Sequence, residues 1–73
     1  MAAGKDDDER RLAVLLEHWM AHNRGHVDEF AKWAEKAKNS GHERVSKRIL
    51  EAASQMHKAN EILEDALSDL GDP

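Results

Sequence analysis

Ala37-Lys38-Asn39-Ser40-Gly41-His42-Glu43 divides this 73-residue chain in two. Gly41 can take a positive φ at no steric cost, which suits the residue just past a helix end. Ser40 and Glu43 have capping-box spacing, so one short segment is expected to close one helix and open the next. Working outward, the reading predicts a disordered leader over residues 1–6, a helix over 7–39, a turn at 39–41, a second helix over 41–70 and a tail over 71–73. Asp6, Asp7 and Asp8 suit a helix start, where carboxylates meet free N–H groups and the positive end of the dipole. Gly71 and Pro73 suit a stop.

Periodicity supports the division. Leu12, Leu16, Trp19, Asn23, His26, Phe30, Trp33 and Ala37 alternate by four and three, and so do Val45, Ile49, Ala52, Met56, Ala59, Leu63, Ala66 and Leu70. Such a pattern places all these side chains on one coiled-coil-like seam. A short turn makes the helices antiparallel, so Trp33 is expected opposite Ile49, Phe30 opposite Ala52, His26 opposite Met56, Asn23 opposite Ala59 and Trp19 opposite Leu63. Trp19 and Trp33 then serve as core or interface anchors, and Met20 and Met56 as gap fillers. Asn23-Arg24-Gly25 is where the first helix could break, but the phase crosses Gly25 unchanged and a continuous helix is expected. The fold class is therefore all-α, an antiparallel two-helix hairpin.

The apolar surface is wider than that seam. Met20, Val27, Ala34, Ala53 and Leu67 flank one side, and Leu15 and Ile62 the other. Two helices cannot cover all of it, and exposed patches of this kind mark interfaces. A homodimeric four-helix bundle is the economical solution, with docking onto a larger protein partner as the alternative.

Composition narrows the function classes. The chain has no cysteine, so neither a disulfide framework nor a thiolate zinc site is available. A net charge of −4 argues against a nucleic-acid partner held by a general positive field. No apolar run approaches the length of a bilayer span, and the start lacks both a signal-peptide core and a Met-Gly myristoylation site. No membrane role is expected, and the simplest address is the cytoplasm. No nucleophile–base pair or phosphate loop is visible, and an enzyme is not expected.

Chemistry concentrates in His18, His22 and His26, spaced i, i+4, i+8. Neighbours in such a run lie one helical turn apart, within chelating distance, while successive members rotate by about 40°. Glu29 falls on the same side as His22. The expected donor set is His22, His26 and Glu29, with His18 as an outer ligand. Two imidazoles and a carboxylate suit nickel, zinc or cobalt better than magnesium or calcium, and Met56 as a soft donor would tilt the choice towards copper. His42 and His57 look uninvolved. Against this stands a metal-free reading, in which Asn23 and His26 are polar seam residues that fix register.

The same stretch, Glu17-His18-Trp19-Met20-Ala21-His22-Asn23-Arg24-Gly25-His26 continuing through Glu29-Phe30 to Trp33-Ala34, resembles small uncharacterised bacterial and archaeal helical proteins with an H-W-x-x-H-N-x-x-H pattern. The resemblance covers the first helix well and the second only as an Ala/Glu/Leu-rich partner. It implies nickel or cobalt handling and marks His18, His22, Asn23 and His26.

Charge is polarised along the hairpin. Lys32, Lys36, Lys38, Arg44, Lys47 and Arg48 gather near the turn. Asp6, Asp7, Asp8 and Glu9, with Glu61, Glu64, Asp65, Asp69 and Asp72, gather at the open end. Local pairs such as Lys47 with Glu51 are one expectation. Antiparallel pairing of two hairpins, basic turn against acidic end, is the other.

Overall fold

A computed structural model describes the backbone of residues 2–71 and the side chains of residues 7–71. Two helices, α1 (Ala2–Asn39) and α2 (Glu43–Gly71), pack against each other as an antiparallel hairpin. Helix α1 includes residues 2–6, where a leader was expected. Ala2, Ala3 and Lys5 are strong helix formers, and only Gly4 among them opposes helix. Asp7 and Asp8 therefore lie within the helix rather than at its cap. Pro73, expected to stop α2, lies outside the described residues.

The turn closes with a Schellman motif. The His42 N–H donates to the Ala37 carbonyl at 2.8 Å and the Gly41 N–H to the Lys38 carbonyl at 3.0 Å, with Gly41 at φ 86°. The expected capping box does not form. Ser40 Oγ instead donates back to the Lys36 carbonyl at 2.9 Å, and α2 opens on His42, whose carbonyl accepts the Ser46 N–H at 3.0 Å. Once Gly41 is left-handed, Ser40 belongs to the end of α1 and cannot also cap α2. Helix α1 runs unbroken through Gly25.

The helices meet along Ala13, Leu16, Met20, Asn23, Val27, Phe30, Ala34 and Ala37 on α1, and Ser46, Ile49, Ala53, Met56, Asn60, Leu63, Leu67 and Leu70 on α2, all buried or half-buried. This alternation of three and four shares Leu16, Asn23, Phe30, Ala37, Ile49, Met56, Leu63 and Leu70 with the expected seam, and replaces the rest. Leu12, Trp19, His26, Trp33, Val45, Ala52 and Ala59 are exposed, with Trp19 at 42 % and Trp33 at 54 %. On α1 the physical reason is size. Ala34, at 1 % exposure the most buried residue of the core, and Ala53 and Ser46 let the backbones approach closely, where a tryptophan would wedge them apart.

Two polar residues tie the seam together. Asn23 Nδ2 donates to Asn60 Oδ1 at 2.9 Å, and Asn60 Nδ2 donates to the Met20 carbonyl at 3.0 Å. No buried side-chain nitrogen or oxygen among the described residues lacks a partner. Asn23 thus faces Asn60 rather than Ala59.

The hairpin is a rod. Its longest dimension is 60 Å, in line with the roughly 57 Å of a 38-residue helix. Its radius of gyration is 17.0 Å, against about 11 Å for a globular chain of this length. Among the described residues no third element covers the outer faces of this one layer of two helices.

Candidate metal-binding site

The outer faces differ in chemistry. A groove lined in part by Ala31, Lys38 and Leu50 beside buried Ala34 and Ser46 marks one side of the hairpin. Ala31, Lys38 and Leu50 each follow a seam residue. Residues that precede a seam residue therefore share the opposite side. Nearest the seam these are Leu12, Trp19, His26 and Trp33 on α1, and Val45, Ala52, Ala59 and Ala66 on α2. Leu15, His22 and Glu29 continue the stripe one step outward. Lys36 closes it, with Nζ 4.4 Å from the centre of the Trp33 ring. The stripe is apolar at both ends and imidazole-bearing in the middle.

Within that stripe the structure brings two of the expected donors together. His22 Nε2 and His26 Nε2 are 3.0 Å apart, with ring centroids 4.5 Å apart and nearly perpendicular planes. One helical turn separates them, so the backbone sets the spacing and rotation of the side chains closes the remaining gap. A single ion holding both rings at about 2.0–2.1 Å, with bond angles of roughly 90–110°, needs its nitrogens about 2.9–3.4 Å apart. The observed separation falls inside that window. Without a metal, the same geometry is a hydrogen bond in which one ring donates and the other must be unprotonated at Nε2.

The other expected donors stand apart. His18 stacks on His22 at a centroid distance of 6.4 Å, so it flanks the pair. Glu29 is exposed, and no group of three His, Asp or Glu able to hold a metal occurs among the described residues. The rise of about 1.5 Å per residue explains this. His18 sits a turn before the pair and Glu29 lies about 10 Å along the axis from His22, although both share its side of the helix. Met56 is half-buried in the seam, whereas His26 is exposed and leans towards Phe30, with ring centroids 6.0 Å apart. The expected opposition of His26 and Met56 fails with the seam, and the argument for copper fails with it.

Asn60 is the residue that sequence reasoning passed over. The available signal was a second asparagine, which meets Asn23 once the helices are set in register by the turn. Charge pairing also differs. Lys47 was expected to meet Glu51, but Arg48 Nη1 does so at 3.2 Å, and both side chains are largely exposed. Such a pair contributes little to stability.

Residues 12–70 match a domain family described as a domain of unknown function, DUF8180. The chain belongs to that family. The matched span takes in the whole seam, from Ala13 to Leu70, together with the histidine stripe. A protein of Archaeoglobus fulgidus, described as an uncharacterized protein, is 33 % identical over 61 residues, covering 84 % of this chain and 97 % of the relative. No solved structure matches. No helix among the described residues is long and apolar enough to cross a membrane.

Proposed function

We propose that this protein is a small transition-metal-binding protein, a carrier, sensor or store, that takes its ion through His22 and His26. The observation that carries the reading is the 3.0 Å approach of the two Nε2 atoms on an accessible face. Imidazole pairs of this spacing suit nickel, cobalt and zinc. In this reading the pair binds its ion without transforming a substrate. His18 and Glu29 lie close enough in sequence to tune the site as outer groups. The cysteine-free composition fits a cytoplasmic setting.

The same reading includes a homodimer. The stripe of Leu12, Leu15, Trp19 and Trp33 on α1, joined by Val45 and Ile62 on α2, leaves large apolar side chains exposed. Stacking two hairpins through this face makes a four-helix bundle.

Titration with Ni²⁺, Co²⁺, Zn²⁺ and Cu²⁺ tests the reading on the wild type, His22→Ala, His26→Ala and the double variant. Binding should be strongest for the wild type and lost in the double variant. Equal binding by the wild type and the double variant would remove the histidine pair from the function. A second reading, a metal-free module that docks a larger protein through Trp19 and Trp33, rests on the exposure of those rings and would then lead.

A further inference from the structure

We propose that the metal site is shared between two copies of the chain, with His22 and His26 of each closing around one ion at a two-fold axis. This inference rests on the metal-binding reading above and adds the source of the remaining ligands. Among the described residues, one chain offers two nitrogens and no third donor grouped with them. A structural zinc site is nearly always four-coordinate, so an exposed two-nitrogen site is half of one.

The placement of the pair points to a second copy as the other half. The seam on α1 runs from Ala13 to Ala37, and its midpoint is Gly25, next to His26. When two rods stack antiparallel about an axis crossing their length, residues at the midpoint meet their own copies. Residues elsewhere meet the opposite end. The flanking apolar residues agree, because Leu15 and Trp33 each lie nine residues from the midpoint of His22 and His26. Centring the axis between the two histidines places Trp33 of one copy across from Leu15 of the other, with Leu12 directed towards the far end. Small Ala52 and Ala59 on the same face of α2 leave room for the approach.

Charge selects this orientation over the parallel one. Residues 36–48 hold Lys36, Lys38, Arg44, Lys47 and Arg48 against Glu43, while residues 61–72 hold Glu61, Glu64, Asp65, Asp69 and Asp72 with no basic residue. Parallel stacking would set basic turn on basic turn. Antiparallel stacking sets it on the acidic end, and brings Arg48 of one copy level with Asp69 of the other.

A shared site links metal to association. An ion that binds the dimer better than the monomer must tighten the dimer by the same factor. Light scattering and native mass spectrometry of the full chain with Ni²⁺ or Zn²⁺ alone test this. The expected result is one ion per two chains and a dimer tightened by at least about tenfold on saturation. His26→Ala, which alters an exposed side chain, should abolish the tightening while leaving the helical circular dichroism intact. One ion per monomeric chain would overturn the shared site and keep the metal-binding reading. No binding of any ion would overturn both.

Discussion

Asn23 and Asn60 meet side chain to side chain across the hairpin at 2.9 Å, and Asn60 reaches on to the Met20 carbonyl at 3.0 Å. A buried amide pair costs little once paired, and it penalises any register in which one partner faces an apolar residue. Asn60→Ala strands the Asn23 amide in a half-buried position and removes the Met20 contact. Stability should fall by about 1–3 kcal/mol in thermal or urea denaturation. Replacing both asparagines with leucine should cost less than the single change, and could stabilise the hairpin while loosening its register. An Asn60→Ala variant as stable as the wild type would show that the pair does not hold the seam.

The asparagine pair also shows what was legible in the sequence. Gly41 announced the turn and the three–four alternation announced two helices, because both signals are local. The alternation fits two seams equally well on each helix, and these share every second member. Leu12, Trp19 and Trp33 drew the choice to the more hydrophobic seam. On α1 the structure uses the seam with smaller residues, Ala13, Met20, Val27 and Ala34, for the closest approach. On that helix hydrophobicity therefore located the outer face and side-chain volume the inner one, while on α2 the choice follows Asn60 and Leu67 rather than size. The i, i+4 spacing of His22 and His26 sufficed to place them together, since one helix determines it. Glu29 required a rotamer and a direction that spacing alone does not supply.

Gly25 and Gly41 make opposite predictions. Gly25 is helical, and a Cβ there would meet nothing within 4 Å. Gly25→Ala should stabilise the protein by about 1 kcal/mol, the helix-propensity difference. Gly41 has equal space but sits at φ 86°. Gly41→Ala should destabilise by roughly 1–2 kcal/mol through the left-handed backbone alone. Melting temperatures that shift in opposite directions check both. A destabilised Gly25→Ala that also loses the dimer would place a partner backbone against that residue.

Metal binding should weaken as the pH is lowered. Each imidazole nitrogen must give up its proton to ligate, so protons and metal compete directly for His22 and His26. Two rings in one site make the loss steeper than one ring could, and a four-imidazole site makes it steeper still. Calorimetric titrations at several pH values, corrected for buffer ionisation, count the protons released per ion bound. A pH-independent affinity would exclude histidine ligation.

The Arg48–Asp69 relation gives the orientation of the dimer its own test. Arg48 pairs within its chain with Glu51 at 3.2 Å, but its side chain is 83 % exposed and free to turn to a better partner. Antiparallel stacking brings it level with Asp69 of the second copy, whereas two-fold parallel stacking sets α2 on the other copy's α1 and brings it near the basic Lys36. Arg48→Asp should therefore weaken the dimer, and adding Asp69→Arg should restore it by exchanging the two charges. Both residues are exposed, so the fold of the hairpin should be unchanged. Rim charges act mainly through long-range attraction that salt screens, and the weakening should shrink at high ionic strength. In the parallel arrangement the single change would relieve repulsion and strengthen the dimer, so the sign of the first measurement already chooses between the two.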